Sequence, residues 1–178
     1  LYEVHNLTTV NEFGKTVVDH VSFNVHRGEV LGIAGVEGNG QSELVKVLSG
    51  IQLATEGSVR INGDDITNAY PAKLRKKHIG IVPEDRYAEG LCRDMTLSEN
   101  CIAGYHKQPQ LSRFGLIRNK EAMRRTKEYI KKYDIRIVDE RGNLSQLSGG
   151  NAQKIIIARE FESNPSLIIA SQPTRGVD

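Results

Sequence analysis

The chain has 178 residues, a net charge of +2 and charged side chains at 26% of its positions. This length is enough for one sizeable core, and the near-neutral charge argues against nucleic acid as a partner, which would need a basic face. No apolar run approaches the roughly 20 residues of a membrane-spanning helix. Cys92 and Cys101 lack the spacing of a metal site, so we expect two reduced thiols.

The first half of the chain alternates between strand and helix patterns. A strand is predicted over Thr16–Val25, where apolar and polar residues alternate, and a buried strand over the apolar run Glu29–Val36. A helix is predicted over Ser42–Gly50, with the glycine as its stop. The remaining elements of this half are a strand over Gly57–Ile66 with a turn at Asn62–Gly63, a short basic helix over Pro71–His78, and a strand over Ile79–Pro83.

The middle of the chain, residues 86–147, is polar and helical. Helices are predicted over Thr96–Tyr105 and Asn119–Asp134. The last part returns to alternation, with a helix from about Gly150 to Ser163 and a strand over Ser166–Ala170. Strands that alternate with helices favour a largely parallel sheet, so the sequence predicts an α/β fold with an inserted helical subdomain.

The stretch "GIAGVEGNGQSELVKVL", residues 32–48, has the outline of a phosphate-binding loop, G-x-x-x-x-G-K-[ST]. Gly35, Gly40 and Ser42 fit the pattern, and Gln41 stands where the lysine belongs. Glycines let backbone N–H groups turn toward phosphate oxygens, and the helix N-terminus adds a positive dipole. Gln41 can donate a hydrogen bond there but brings no charge.

Two acidic residues count against anion binding at this loop, because Glu37 lies within it and Glu43 lies at the start of the helix. A carboxylate is favourable at a helix N-terminus, so the segment alone is equally compatible with a strand–turn–helix corner that binds nothing. A dinucleotide-binding Rossmann unit is rejected, because the glycines run G-x-x-G-x-G and no ribose-binding acid follows at the expected place.

The segment "LSGGNAQK", residues 147–154, resembles the signature sequence of ABC-type ATPases. It follows a glycine loop and a helical insert and precedes a strand, which is the order found in that family. The resemblance covers nearly the whole chain, since "FGKTVVDHVSFNVHRGEVLGIAG" looks like the opening of such a domain, "IGIVPEDR" like the Q-loop region and "PTRGVD" like the segment before the D-loop. These motifs most resemble those of the second nucleotide-binding domain of ABC importers for simple sugars and nucleosides. In those importers two such domains occur in tandem.

This resemblance implies a P-loop NTPase core of the ABC type with a mixed sheet, formed by residues 1–85 and 148–178, and a helical subdomain over residues 86–147. The nucleotide-binding residues that it implies are Phe13, Gly35, Gly38, Asn39, Gly40, Gln41, Ser42 and Glu43. Phe13 would stack on adenine, the alternative being a ring packed on the sheet. Ser42 would be a weak ligand for Mg²⁺. The signature residues that would act in trans are Ser148, Gly149, Gly150 and Asn151.

The chain departs from the family at the residues that carry catalysis. The Walker B strand should end in two acids, and "LIIASQ" places Ser171 and Gln172 there. Glu84 replaces the Q-loop glutamine, and Gln41 replaces the lysine. P-loop chemistry depends on that lysine and on Mg²⁺ held by the Walker B acid. We therefore expect a non-hydrolytic site that binds ATP weakly and with little dependence on Mg²⁺.

The partners implied by the resemblance are a second ABC ATPase domain, membrane permease subunits and, indirectly, an extracytoplasmic substrate-binding protein. The chain would then lie at the cytoplasmic face of the cell membrane. Two alternatives stay open. Another acid such as Glu84 could make the domain a weakly active ATPase, or the chain could belong to a soluble ABC-type protein of DNA repair or translation.

Overall fold

The computed structural model describes residues 1–137, 139 and 142–177 of the chain. The chain divides into two compact units, residues 1–76 and 77–178. In the portion that is described, every helix is too short or too polar to cross a lipid bilayer. The residues predicted to be functional are shared between the two units, so each unit is considered by itself.

The first unit is built on a four-stranded sheet in which every neighbouring pair is antiparallel. Its strands are β1 Tyr2–Val10, β2 Thr16–Val25, β3 Glu56–Ile61 and β4 Asp64–Asp65, and they lie in the order β2-β1-β3-β4. The hairpin of β3 and β4 turns at Asn62 and Gly63, whose φ angles are 50° and 85°. A type I′ turn needs positive φ at both residues, so the predicted turn is confirmed.

Two helices complete the first unit, α1 over Gln41–Leu48 and α2 over Pro71–Lys76. The side chains that α1 buries are Leu44, Val47 and Leu48. Gly50 follows α1 with a φ of +75°, and a β-carbon there would lie 2.2 Å from the Ala69 carbonyl oxygen. Only glycine fits this position, so the prediction that Gly50 stops the helix is confirmed.

The apolar run Glu29–Val36 is not a strand, so that prediction is wrong. Val30 and Val36 are 95% and 76% exposed. A strand requires hydrogen bonds to a neighbouring strand, and among the described residues no strand pairing includes this run. Apolar composition over a short run cannot supply that partner.

The second unit contains two small sheets. β5 Ile79–Val82 pairs in parallel with β8 Leu167–Ala170, with Ile79 opposite Leu167. β6 Ser112–Arg113 and β7 Leu116–Ile117 form an antiparallel hairpin. The strands predicted at β5 and β8 are confirmed. The prediction of a largely parallel sheet is wrong, because the β5–β8 pair is the one parallel pairing among the described strands.

The helices of the second unit are α3 Leu97–Ile102, α4 Asn119–Lys132 and α5 Gly149–Phe161. They confirm the three helices predicted from sequence, and each ends two or three residues before its predicted C-terminus. A π-helical turn over Arg86–Gly90 precedes them, and a 3₁₀ turn over Leu144–Gln146 precedes α5. Thr96 caps α3, since its Oγ1 accepts from the Glu99 N–H at 3.2 Å and Glu99 Oε2 accepts from the Thr96 N–H at 2.8 Å.

A buried ion pair lies in the core of the second unit. The Arg159 and Glu160 side chains on α5 are 3% and 0% exposed, and Arg159 Nε donates to Glu160 Oε1 at 3.0 Å. Glu160 Oε2 also accepts from the Tyr105 hydroxyl at 2.6 Å and from the Ile81 N–H at 3.2 Å. Buried charges need such partners, so this network ties α5 to β5 and to the end of the α3 segment.

Candidate functional site

The glycine loop contains two residues with positive φ angles just before α1. Gly38 and Gly40 have φ angles of +85° and +94°, and the Asn39 N–H donates to the Val36 carbonyl oxygen at 3.3 Å. Gly40 is the N-cap of α1 and has no side-chain cap. Left-handed residues beside right-handed ones turn successive N–H groups toward a common centre, and the helix dipole adds positive potential there.

One glycine of this loop is required by a close backbone contact, and a second lies beneath a flexible side chain. A β-carbon at Gly40 would lie 2.3 Å from the Val17 carbonyl oxygen, so the start of α1 packs directly on β2. A β-carbon at Gly35 would lie 1.7 Å from Gln41 Nε2. The Gln41 carboxamide therefore lies over the Gly35 backbone, along the loop that the sequence assigned to phosphate binding.

The charged side chains of the glycine loop and α1 lie where the sequence predicted them. Glu43 lies in the first turn of α1, and Lys46 lies in its last turn, at the opposite end from the loop. Glu37 is exposed within the loop, and Ser42 is partly buried at the helix start. The start of α1 thus carries a carboxylate, which stabilises the helix and opposes a second anion.

Phe13 lies in the turn between β1 and β2. Its ring is 85% exposed, so the alternative of a ring packed on the sheet is wrong. Asn11 Oδ1 accepts from the Phe13 and Lys15 N–H groups, both at 3.0 Å, and Gly14 follows with a φ of +74°. The turn is therefore held rigidly by its own hydrogen bonds while the aromatic face stays open for stacking.

The signature residues form the start of α5. Ser148 is the N-cap, and its Oγ accepts from the Asn151 N–H at 3.4 Å and from Asn151 Nδ2 at 3.0 Å. Asn151 Oδ1 in turn accepts from the Arg136 N–H at 2.9 Å. A β-carbon at Gly150 would lie 2.3 Å from the Gly176 carbonyl oxygen, so this position also requires glycine. Ser148 to Asn151 thus form a capped helix start with two small residues in its first turn.

The Walker B positions lie directly after β8. The Ser171 N–H donates to the Val82 carbonyl oxygen at 2.9 Å, and Gln172 has a φ of 45°. β8 ends at Ala170, so Ser171 and Gln172 follow the strand as the sequence predicts. Gln172 Nε2 donates to Glu84 Oε1 at 3.2 Å. A carboxylate therefore does lie beside Gln172, and it comes from the Q-loop position.

Metal ligands are scarce in this region. In residues 1–137, 139 and 142–177, no three His, Cys, Asp or Glu side chains are grouped so that they could hold a metal ion. Cys92 is exposed, and Cys101 is a buried free thiol whose pKa is raised by burial to about 11. Asp178, the last residue of "PTRGVD", lies outside the described residues.

Arg86 is a site residue that the sequence did not reveal. Its Nη1 donates to the Gly149 carbonyl oxygen at 2.8 Å and to the Arg175 carbonyl oxygen at 3.3 Å. The second unit therefore brings together the Q-loop, the signature and the 173–176 segment. The signal available in the sequence was only the adjacency of Arg86 to Glu84, since its contacts lie 63 and 89 residues away.

A family model described as ABC transporter matches residues 18–175. The chain is 40% identical over 176 residues to the nucleoside import ATP-binding protein NupA of Lactococcus lactis subsp. cremoris, covering 99% of this chain and 35% of that protein. It is 40% identical over 176 residues to the guanosine import ATP-binding protein NupO of Bacillus subtilis, covering 98% and 34%. It is 36% identical over 182 residues to the xylose import ATP-binding protein XylG of Thermoanaerobacter pseudethanolicus, covering 100% and 35%. The chain thus spans about a third of the length of the curated relatives it matches.

Two solved structures of the ATP-binding cassette MJ0796 are similar to this chain. A dimeric post-hydrolysis state bound to ADP and Pi has a TM-score of 0.78 and 28% identity, covering 100% of this chain and 76% of that one. A second dimeric structure, of a cassette described as a bacterial ABC transporter cassette, has a TM-score of 0.81 and 26% identity with the same coverage. The predicted fold class, an α/β P-loop fold of the ABC ATPase type, is confirmed.

Proposed function

This chain belongs to the ABC transporter family, and from that premise we propose that it is one nucleotide-binding domain of an importer for nucleosides or sugars. The printed names of its relatives support this substrate class, since NupA and NupO import nucleosides and XylG imports a sugar. The same names give no support to a soluble protein of DNA repair or translation. Residues 1–85 and 148–178 would form its core, and residues 86–147 its helical subdomain.

We further propose that the chain's own nucleotide site does not hydrolyse ATP. The observation that carries this proposal is the end of β8, where Ser171 and Gln172 occupy the places of the two Walker B acids. Gln41 occupies the place of the lysine, and its carboxamide lies over Gly35. Hydrolysis at a P-loop requires charges that hold the metal and position water, and none of these three side chains is ionisable.

ATP and Mg²⁺ fit this site unequally. The left-handed turns at Gly38 and Gly40 present N–H groups that suit phosphate oxygens. Ser42 offers one hydroxyl to a metal ion, and the described residues group no three metal-binding side chains. Bound nucleotide would bring the triphosphate charge to the start of α1, where Glu43 already lies. We expect weak binding with little dependence on Mg²⁺.

Replacing Gln41 by lysine is expected to raise ATP affinity without starting hydrolysis. The ammonium group adds a charge-assisted contact to phosphate, which should improve Kd about tenfold. Turnover should stay absent, because Ser171 and Gln172 remain. Calorimetric titration of the full polypeptide checks the affinity, with Gln41→Met as a control of matched length that removes the amide donor and is expected to weaken binding. An unchanged Kd in Gln41→Lys would mean that phosphates do not reach this loop.

The signature at the start of α5 would act in trans. Two solved cassettes to which this chain is similar are dimeric, and we propose that this domain pairs with a second ABC ATPase domain, in tandem within one polypeptide. The capped start of α5, with Ser148 Oγ bonded to Asn151, leaves a helix N-terminus suited to the partner domain's bound phosphate. ATP hydrolysis by the assembly would then occur at the partner's site.

The helical subdomain would face the membrane permease subunits. The β6–β7 hairpin exposes large apolar side chains, with Phe114 91% and Leu116 75% exposed. Contiguous apolar exposure of this kind commonly marks a surface that a partner covers. The domain would lie at the cytoplasmic face of the membrane. It would be coupled to the extracytoplasmic substrate-binding protein only through the permease.

Replacing Phe114 by aspartate is expected to reduce permease binding about tenfold or more, because a charge would be buried in an apolar contact. The measurement is co-purification of permease with the full polypeptide. Leu53→Asp is a matched control, since Leu53 is also exposed, at 66%, but lies in the first unit. Equal loss in both variants would show that the hairpin is not a specific docking surface, and recovery of ribosomes or DNA instead of permease would favour the soluble alternative.

A second candidate function, a weakly active ATPase, has one observation in its favour. Glu84 accepts a hydrogen bond from Gln172, so one carboxylate lies beside the place of the missing catalytic acid. Glu84 would have to serve as metal ligand or base without a lysine at position 41. The two candidates differ in whether hydrolysis at this site depends on Glu84.

A further inference from the structure

One guanidinium group joins three segments of the second unit. Arg86 lies two residues after Glu84, and its Nη1 donates to the carbonyl oxygens of Gly149 and Arg175. Gly149 belongs to the signature, and Arg175 belongs to the segment that follows the Walker B positions. A single side chain therefore links the end of the Q-loop region to the start of α5 and to this segment.

The start of α5 packs closely against Arg86 and against residues 173–176. A β-carbon at Gly149 would lie 3.3 Å from Arg86 Nη2, and one at Gly150 would lie 2.3 Å from the Gly176 carbonyl oxygen. Gln153 Nε2 donates to the Pro173 carbonyl oxygen at 3.3 Å, one turn further along α5. The start of α5 and residues 173–176 are thus in direct contact, and Arg86 bridges them at the N-terminal end.

The position of Arg86 is itself fixed by the turn that carries it. Asp85 caps the π-helical turn, and its Oδ1 accepts from the Tyr87 N–H at 2.9 Å and the Ala88 N–H at 3.0 Å. These hydrogen bonds hold the pKa of the Asp85 carboxyl below its ordinary value, and the charges of Arg175 and Arg86 act in the same direction. Asp85 is therefore ionised at neutral pH, and the turn keeps both its cap and its orientation.

The charge of Arg86 is not explained by helix stability. Cations stabilise the C-terminus of a helix and are unfavourable at its N-terminus, where the dipole is already positive. Arg86 nevertheless binds a carbonyl oxygen in the first turn of α5. The contribution of Arg86 is therefore its hydrogen bond to the Gly149 carbonyl oxygen, which holds the start of α5 in place.

We propose that Arg86 is a positioning residue for the signature: it holds the Gly149 carbonyl oxygen so that Ser148 and the first N–H groups of α5 face the partner domain's nucleotide. This inference rests on the proposed function of the signature in trans. Arg86 acts through Gly149 and makes no contact with the reacting atoms. Its loss lowers the rate of hydrolysis at the partner's site and leaves nucleotide binding there intact.

The experiment compares Arg86→Met, Arg86→Lys and Arg93→Met in the full polypeptide. Arg93 is the matched control, because its Cζ lies 4.0 Å from the Tyr87 ring centroid in the same loop, and it is exposed. Arg86→Met is expected to lower kcat for ATP hydrolysis about 10- to 100-fold, as expected for a misplaced catalytic element, with KM changed less than about threefold. Arg86→Lys is expected to recover part of kcat, and Arg93→Met to leave it unchanged.

Three results would overturn the proposal: an unchanged kcat in Arg86→Met, a change confined to KM, or a loss of kcat that follows a lower melting temperature and is not recovered by lysine. Failure of the proposed function looks different. If Ser148→Arg also leaves hydrolysis unchanged, the signature does not act in trans at all. If Ser148→Arg abolishes hydrolysis while Arg86→Met does not alter it, the signature acts as proposed and Arg86 does not position it.

Discussion

Replacing Ser148 by arginine is expected to abolish ATP hydrolysis by the full polypeptide, although Ser148 belongs to the domain whose own site we propose to be inactive. The arginine side chain would fill the space in front of α5 and remove the Oγ that caps the helix. Loss of a single preorganised contributor at an active site costs about 10²- to 10³-fold in rate, so kcat should fall by at least the lower figure. Steady-state hydrolysis measured per mole of folded protein checks it.

Thr96→Arg is the matched control for this variant. Thr96 also caps a helix with its hydroxyl, and its substitution removes a comparable hydrogen bond from the start of α3. Its effect on stability should therefore be similar, at about 0.5–2 kcal/mol for the loss of a cap. Full hydrolysis in both variants would mean that the signature of this chain serves no nucleotide.

Replacing Arg159 by methionine is expected to be the most destabilising single change in the second unit. Methionine matches the length of the arginine stem but removes the guanidinium that pairs with the Glu160 carboxylate, which is 0% exposed. Removing one partner of a buried ion pair typically costs about 3–5 kcal/mol. Native-state hydrogen exchange of α5 amides in the full polypeptide should show protection reduced by about 10²-fold or more.

Arg124→Met is the control, because Arg124 pairs with Glu121 and Glu128 on the exposed face of α4. Exposed pairs contribute little, so protection of α4 amides should change by less than a factor of about five. If Arg159→Met behaved in the same way, the Arg159–Glu160 pair would not be the element that ties α5 to the β5 strand.

The helices were predictable because their signals lie within each segment. α4 buries Ala122, Thr126 and Tyr129, which recur at helical spacing, and its polar residues fill the other face. α5 begins at a serine cap and α1 ends at a glycine stop, both of which are local chemistry. The signature and the glycine loop were proposed from local patterns of the same kind.

The strands were predicted less well because each depends on a partner elsewhere in the chain. β1 was missed, since Asn6 at a φ of 46° interrupts its alternation where the register with β2 shifts. The run Glu29–Val36 has the composition of a buried strand but makes no strand pairing in the described structure. The β6–β7 hairpin turns at Phe114 and Gly115, a two-residue signal that was available but is weak without long flanking strands.

The candidate site follows the same pattern: its motif residues could be proposed from the sequence, and its contacts between distant segments could not. Single residues such as Gln41 and Ser171 were identified from motif spacing alone. The hydrogen bond between Gln172 and Glu84 spans 88 residues, and the bond from Arg86 to Gly149 spans 63. No pattern within one segment specifies such contacts, because they depend on how β5, β8 and α5 pack.

The central claim is that the P-loop of this chain supports no hydrolysis of its own. The most direct test is residual Mg²⁺-dependent ATP turnover by the full polypeptide carrying Ser148→Arg, with and without Glu84→Gln. Since the first substitution silences the partner's site, we predict that no turnover above background remains and that nucleotide held by the protein is recovered as ATP. Residual turnover that disappears on adding Glu84→Gln would contradict the account, because the carboxylate beside Gln172 would then be supplying the catalytic acid.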